Sequence, residues 1–274
     1  MKPLNLFLLL TFGLFILGFA ITGILIAVES PSFLVVLAQI VMAWTPTAAF
    51  VIIYRRVNPG KSLWRCVADR FRTPIKLLPL LASILVPFVA TIIVWVGYSM
   101  VSGKALFDLL AKLSVGFILL MFLDSLIRGP LGEELGWRGY LQTELNKKFS
   151  LLKSSLIVGM IWGVWHLPLW FVSGFQGFNL LLYIVFFMIG LVSFSVIIGY
   201  LYGQGGNLLY AILLHQMLNF SGRLLEIDEL TILGGSSIVY VIIALVISLK
   251  ILRSSASLSP RREVLGTDIS QRSS

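Results

Sequence analysis

Residues 179–202 read NLLLYIVFFMIGLVSFSVIIGYLY, an apolar run with no charged side chain. A helix crosses the hydrocarbon core of a bilayer with about 20 mostly apolar residues, so this run is long enough to span it. Seven further stretches have similar character: 6–28, 32–54, 77–100, 105–127, 151–172, 207–225 and 230–252. The fourth of these carries Asp108, Lys112 and Asp124, and the sixth, 207–225, is short and polar. The whole chain is 58% hydrophobic and 12% charged, with a mean hydropathy of +0.97. Soluble domains are about 25% charged. The expected fold is therefore all-α, a polytopic membrane bundle of about eight transmembrane helices. The membrane domain covers residues 1–252, and a Ser- and Arg-rich tail, 253–274, is expected to be disordered.

The first apolar run is longer than a signal-peptide core and lacks a small-x-small cleavage site, so it reads as a retained helix. The single cysteine, Cys66, excludes an internal disulfide and a cysteine-based metal cluster. Net charge is +9, and its distribution carries the information. Basic residues crowd three places: 55–76, 138–153 and the tail. Acids dominate at Glu29 and at Glu226, Asp228 and Glu229. Eight crossings with a cytoplasmic N-terminus put every basic cluster inside, with the C-terminus also cytoplasmic. The basic loops then serve topology and lipid headgroups. No aromatic–basic interleaving accompanies them, so nucleic acid is not an expected partner. Gly60-Lys61-Ser62 mimics the end of a phosphate-binding loop, but Arg55 stands where that loop needs its first glycine.

Against this apolar background, the ionisable groups stand out. A charge at the bilayer centre costs several kcal/mol, so each such group inside a span marks a functional site by default. The sequence Gly132-Glu133-Glu134-Leu135-Gly136-Trp137-Arg138 follows Gly129-Pro130, which breaks the fourth helix. A new helix is expected from near Leu131 to about Lys147, lying along the membrane surface or dipping into it. Glu134 and Arg138 are i and i+4 and face each other, while Glu133 points about 100° away. Read alone, two acids in a first turn also complement the helix dipole.

The chain has two histidines, His166 and His215. Pro168 loosens the helix beside His166. Asn219 lies one turn after His215 on the same face. Each could be an interhelical hydrogen-bonding residue. As a set they allow three chemistries. Zinc could take His166, His215 and one of the two glutamates. Alternatively, with no metal, a glutamate draws a proton from water while His215 and Asn219 steady an oxyanion. Asn219 is a good oxyanion donor and a poor zinc ligand, which favours this second scheme. The third chemistry is a proton or ion relay.

These motifs together resemble the CAAX-protease and bacteriocin-processing family (CPBP, or Abi) of intramembrane proteases. The resemblance rests on Glu133-Glu134-x-x-x-Arg138, Trp162-x-x-x-His166 and His215-x-x-x-Asn219, in that order, and covers about 120–219. The family's second motif more often begins with phenylalanine, where this chain has Trp162. The resemblance implies an intramembrane endopeptidase acting on a membrane-associated or lipidated peptide. Glu133 would be the base, His166 its partner in holding water, and His215 with Asn219 the oxyanion site. Glu134 and Arg138 would support them. Members are described both as metalloproteases and as metal-free glutamate proteases, which leaves zinc at Glu133, His166 and His215 or no cofactor at all. The alternatives are a non-catalytic immunity or binding protein that keeps the motifs, and a small transporter.

Overall fold

The structure, a computed structural model, describes residues 1–270, with side chains through Arg253. Its helices are α1 (Pro3–Ala27), α2 (Ser32–Ala43), α3 (Thr45–Val57), α4 (Leu63–Asp69), α5 (Leu77–Ser102) and α6 (Val115–Ile127). They continue as α7 (Pro130–Glu134), a π-helical stretch Leu135–Gln142, α8 (Thr143–Asn146), α9 (Leu151–Trp165) and α10 (Leu167–Trp170). The last three are α11 (Gly177–Gly205), α12 (Leu209–Ser221) and α13 (Glu229–Ser270). Among the described residues the extended contact is one isolated antiparallel bridge, Leu110 to Leu225. The all-α expectation holds, and the protein is an integral, multi-pass membrane protein.

The count of eight spans is not reproduced. Among the described residues, five helices are long and apolar enough to cross a membrane, and six if α2 and α3, bent by 52° at Trp44, form one span. The break at Trp44 is fixed by its indole N–H, which donates to the Ile127 carbonyl at the end of α6 (2.9 Å), and by Pro46 in the first turn of α3. The expected fourth helix begins at Val115 rather than at residue 105. The stretch before it holds a short 3-10 turn and the bridge to Leu225, and it keeps Asp108 and Lys112 outside regular helix. The expected fifth helix stops at Trp165, because Pro168 cannot continue its ladder; His166 N–H instead reaches Gly163 O at 3.0 Å. Two of the expected spans, now α9 and α12, have 15 and 13 residues. They pack on longer helices: α11 runs along α9 and α13, and α12 packs against α5, while α9 keeps Leu156, Met160 and Val164 exposed.

The segment after Gly129-Pro130 is helical, as its sequence implies, but it does not lie on a membrane surface. Residues from Gly132 to Leu141 are almost all buried. Gly136 lets this segment meet α3 closely, since a methyl group there would stand 2.5 Å from Pro46. Phe7 of α1 packs edge-on to Trp137 with centroids 6.1 Å apart, and Phe50 of α3 stacks on Tyr140 at 5.2 Å. Leu9, Leu17 and Ile24 on α1 remain exposed, which suits contact with acyl chains. Of the expected disordered tail, 253–274, the side chains of 254–274 lie outside the described ones, and residues 271–274 lie outside them altogether.

Candidate active site

Gly129-Pro130 interrupts the regular helix between α6 and α7 within one span, Val115–Asn146, and Glu133 and Glu134 are buried at the end of α7. Proline at the first helical position needs no N–H partner there. The i,i+4 pairing then delivers Arg138 Nη1 to Glu134 Oε1 at 3.0 Å, with both side chains fully buried. The π-helical stretch widens the backbone around Arg138, and Thr143 Oγ donates to the carbonyl of Arg138 at 3.0 Å. Such π segments are common at functional sites.

Glu134 gathers two partners on one oxygen. Its Oε1 also takes His215 Nδ1 at 2.8 Å, bridging α7 to α12. Arg138 extends the network by donating Nη2 to Ser195 Oγ of α11 at 3.2 Å, and Ser195 donates to Ser155 O of α9 at 2.9 Å. The guanidinium also lies 4.4 Å from the centre of the Trp162 ring. This network therefore ties five elements together: α7, the π-helical stretch, α9, α11 and α12.

Glu133 is held differently. Its Oε2 accepts two indole N–H groups, from Trp162 at 2.7 Å and Trp137 at 3.2 Å. Its Oε1 accepts no hydrogen bond among the described residues. Indole N–H is donor only, so the two tryptophans orient the carboxylate without competing for a proton.

His166 sits at the broken end of α9, with Nδ1 2.8 Å from the Trp162 carbonyl. A carbonyl can only accept, so Nδ1 carries the proton and Nε2 of the neutral ring is left as an acceptor. His215 is likewise committed at Nδ1, to a carboxylate. Its Nε2 turns toward Gly129: a methyl group on that glycine would lie 3.8 Å from His215 Nε2 and 2.7 Å from Asn219 Nδ2. The absent side chain leaves a small space faced by both nitrogens.

Two cavities meet at these residues. The smaller, about 400 Å³, is lined by Glu133, His166 and Asn219 together with the polar side chains Gln39, Asp124 and Arg128. Arg128 there is already paired, with Asp124 and with Gln39 Oε1 (2.5 Å). The larger, about 550 Å³, is lined by His166, His215 and Asn219 and is otherwise mostly apolar, with Phe187, Leu191, Leu218 and Ile232. Of the residues singled out by sequence, Glu133, His166, His215 and Asn219 all reach this pair of cavities, while Glu134 and Arg138 lie behind them.

Among the described residues no group of three or more His, Cys, Asp and Glu side chains is arranged to hold a metal ion. Glu134 Oε1 is shared between Arg138 and His215 Nδ1. Glu133, His166 and His215, the set considered from sequence, form no such group.

Sequence reasoning missed several contributors. Trp137 is four residues after Glu133, the spacing of one helical turn, but a tryptophan reads first as apolar volume. Ser195 carries no signal of its own, and Gly129 signals only a helix break, since their roles in the site depend on residues far away in sequence.

The fold and the cluster define a class: a polytopic helical membrane protein with a buried acid–histidine–asparagine site. Residues 115–221 match the family described as Type II CAAX prenyl endopeptidase Rce1-like. The chain is also 30% identical over 139 residues to a protein of Methanococcus maripaludis named CAAX prenyl protease 2. That alignment covers 49% of this chain and 51% of the relative, so the chain spans about half the length of the curated relative it matches. Both findings support the CAAX-protease and bacteriocin-processing family, with the matched segment coinciding with the one that carries the three motifs.

Proposed function

We propose that the protein is an intramembrane endopeptidase that hydrolyses a peptide bond of a membrane-associated, lipidated peptide. The observation that carries this reading is the meeting of Glu133, His166 and Asn219 around one cavity, with His215 held beside them by Glu134. In this reading a water in the smaller cavity gives a proton to Glu133. His166 Nε2 accepts the water's second hydrogen bond and so aims its lone pair. The resulting hydroxide attacks the peptide carbonyl, and the oxyanion is held by Asn219 Nδ2–H and His215 Nε2–H. His215 must be doubly protonated for that task, because its Nδ1–H is already given to Glu134. Glu133 then returns its proton to the leaving amine as the C–N bond breaks. The larger apolar cavity suits aliphatic residues or a lipid chain of the substrate.

The family match and the relative's name support a prenylated, C-terminal Cys-aliphatic-aliphatic-x peptide as the substrate class. The basic clusters support cytoplasmic termini. The test is cleavage of a synthetic S-prenylated peptide of that type by the purified protein in lipid vesicles. Glu133→Gln should lower kcat by about 10²–10⁴-fold, the usual contribution of a general base. A folded Glu133→Gln protein with parental activity would refute the mechanism. Absence of cleavage by the parent, with Glu133→Gln equally able to support a protective role in cells, would favour a non-catalytic protein.

A further inference from the structure

Arg223 is an exposed cation between two functional cavities, and its guanidinium makes no hydrogen bond or ion pair among the described residues. It lines both the larger and the smaller cavity, as do His166 and Asn219. The position follows from spacing. His215, Asn219 and Arg223 are i, i+4 and i+8, so they run along one side of α12 and the 3-10 turn Gly222–Leu224 that extends it. The main chain just beyond is pinned: Glu226 N–H donates to Leu109 O at 2.8 Å, and Ala111 N–H to Leu224 O at 2.9 Å. Arg223 therefore stands on a fixed backbone, two turns from the imidazole that faces the oxyanion space.

The contrast with Arg128 is informative. Arg128 lines the smaller cavity too, but Asp124 and Gln39 occupy its guanidinium. Arg138 is occupied by Glu134 and Ser195. Arg223 is the arginine at the cavities whose fork is still open. Glu229 also lines the larger cavity, yet it forms no ion pair with Arg223. A guanidinium fork matches a carboxylate in two parallel hydrogen bonds, and it gains most where water is partly excluded.

We propose that Arg223 binds the free C-terminal carboxylate of the substrate and so sets the distance from the chain end at which the peptide is cut. This deepens the proteolytic reading above and rests on it. The role is one of substrate selection: Arg223 would make the site a reader of chain termini, and an internal segment of the same sequence would be a poor substrate.

The experiment compares one S-prenylated peptide as the free acid and as the C-terminal amide, using the full chain in lipid vesicles. For the parent, kcat/KM should favour the acid by about tenfold or more, the scale of a charge-assisted pair. Arg223→Ala should bring that ratio close to unity, and Arg223→Lys, which keeps the charge but not the fork, should fall between. Equal cleavage of acid and amide by the parent overturns the inference even though proteolysis stands, and needs no variant to be folded. An Arg223→Ala protein that keeps the parental preference overturns it as well. Cleavage of neither peptide by the parent overturns the proteolytic reading and this inference with it.

Discussion

At the scale of single residues, the site depends on one missing side chain. A methyl group at Gly129 would crowd Asn219 Nδ2 at 2.7 Å and Ser125 O at 2.9 Å, in the space proposed for the oxyanion. Gly129→Ala should therefore lower kcat by about 10²–10³-fold, as the loss of an oxyanion donor does, with a smaller change in KM. Steady-state kinetics on the prenylated peptide check this, and an unimpaired variant would move the oxyanion elsewhere. The Glu134–Arg138 pair was legible from its i,i+4 spacing alone, and it is found at 3.0 Å. The Glu134–His215 contact was not, because eighty-one residues separate the partners and no local rule spans that distance. The buried ion pair is a restraint on geometry more than a source of stability, since two charges removed from water lose much of what their attraction returns.

At the scale of elements, breaks matter more than helices. α9 ends at Trp165 and α10 starts at Leu167, with His166 at the joint and Leu169 N–H reaching back to His166 O at 2.8 Å. Pro168 enforces that joint by withholding an N–H from the ladder. Pro168→Ala should let α9 run on and turn the imidazole away from the cavities. A displacement of about 1 Å can cost a factor of about 100, so kcat should fall by roughly ten- to a hundredfold while insertion and expression hold. A kinetic comparison of the folded variant with the parent decides it. The break was readable because proline announces itself. The π-helical stretch Leu135–Gln142 was not, because its sequence has the apolar spacing of an ordinary helix, and the widening reflects what Arg138 must reach on α9 and α11. Likewise 105–114 looked apolar enough to span; its pairing with the end of α12 is a tertiary fact.

At the scale of the whole molecule, hydropathy revealed the bilayer-crossing frame and left the inner elements unresolved. Long helices such as α5 and α11 meet lipid and must be apolar along their length, so composition alone identifies them. The short α12 is enclosed by protein, which frees it from spanning length and lets it carry polar side chains, whereas α9, also short, keeps Leu156, Met160 and Val164 exposed on one face. Whether three distant donors converge on a metal is also settled only at this scale, and here the arrangement does not suit one. Cleavage should accordingly survive millimolar chelator, with zinc below stoichiometric amounts in the purified protein by elemental analysis. Loss of activity on chelation that zinc restores would contradict this.

The two cavities share His166, Asn219 and Arg223 but differ in the rest of their lining, the larger carrying Phe187, Leu191 and Ile232 and the smaller Gln39, Asp124 and Arg128. In the proposed reaction, a peptide lodged in the larger cavity leaves the smaller one free for water. Fresh nucleophile can thus arrive by its own route, and turnover need not wait for the departing fragment to clear a common entrance.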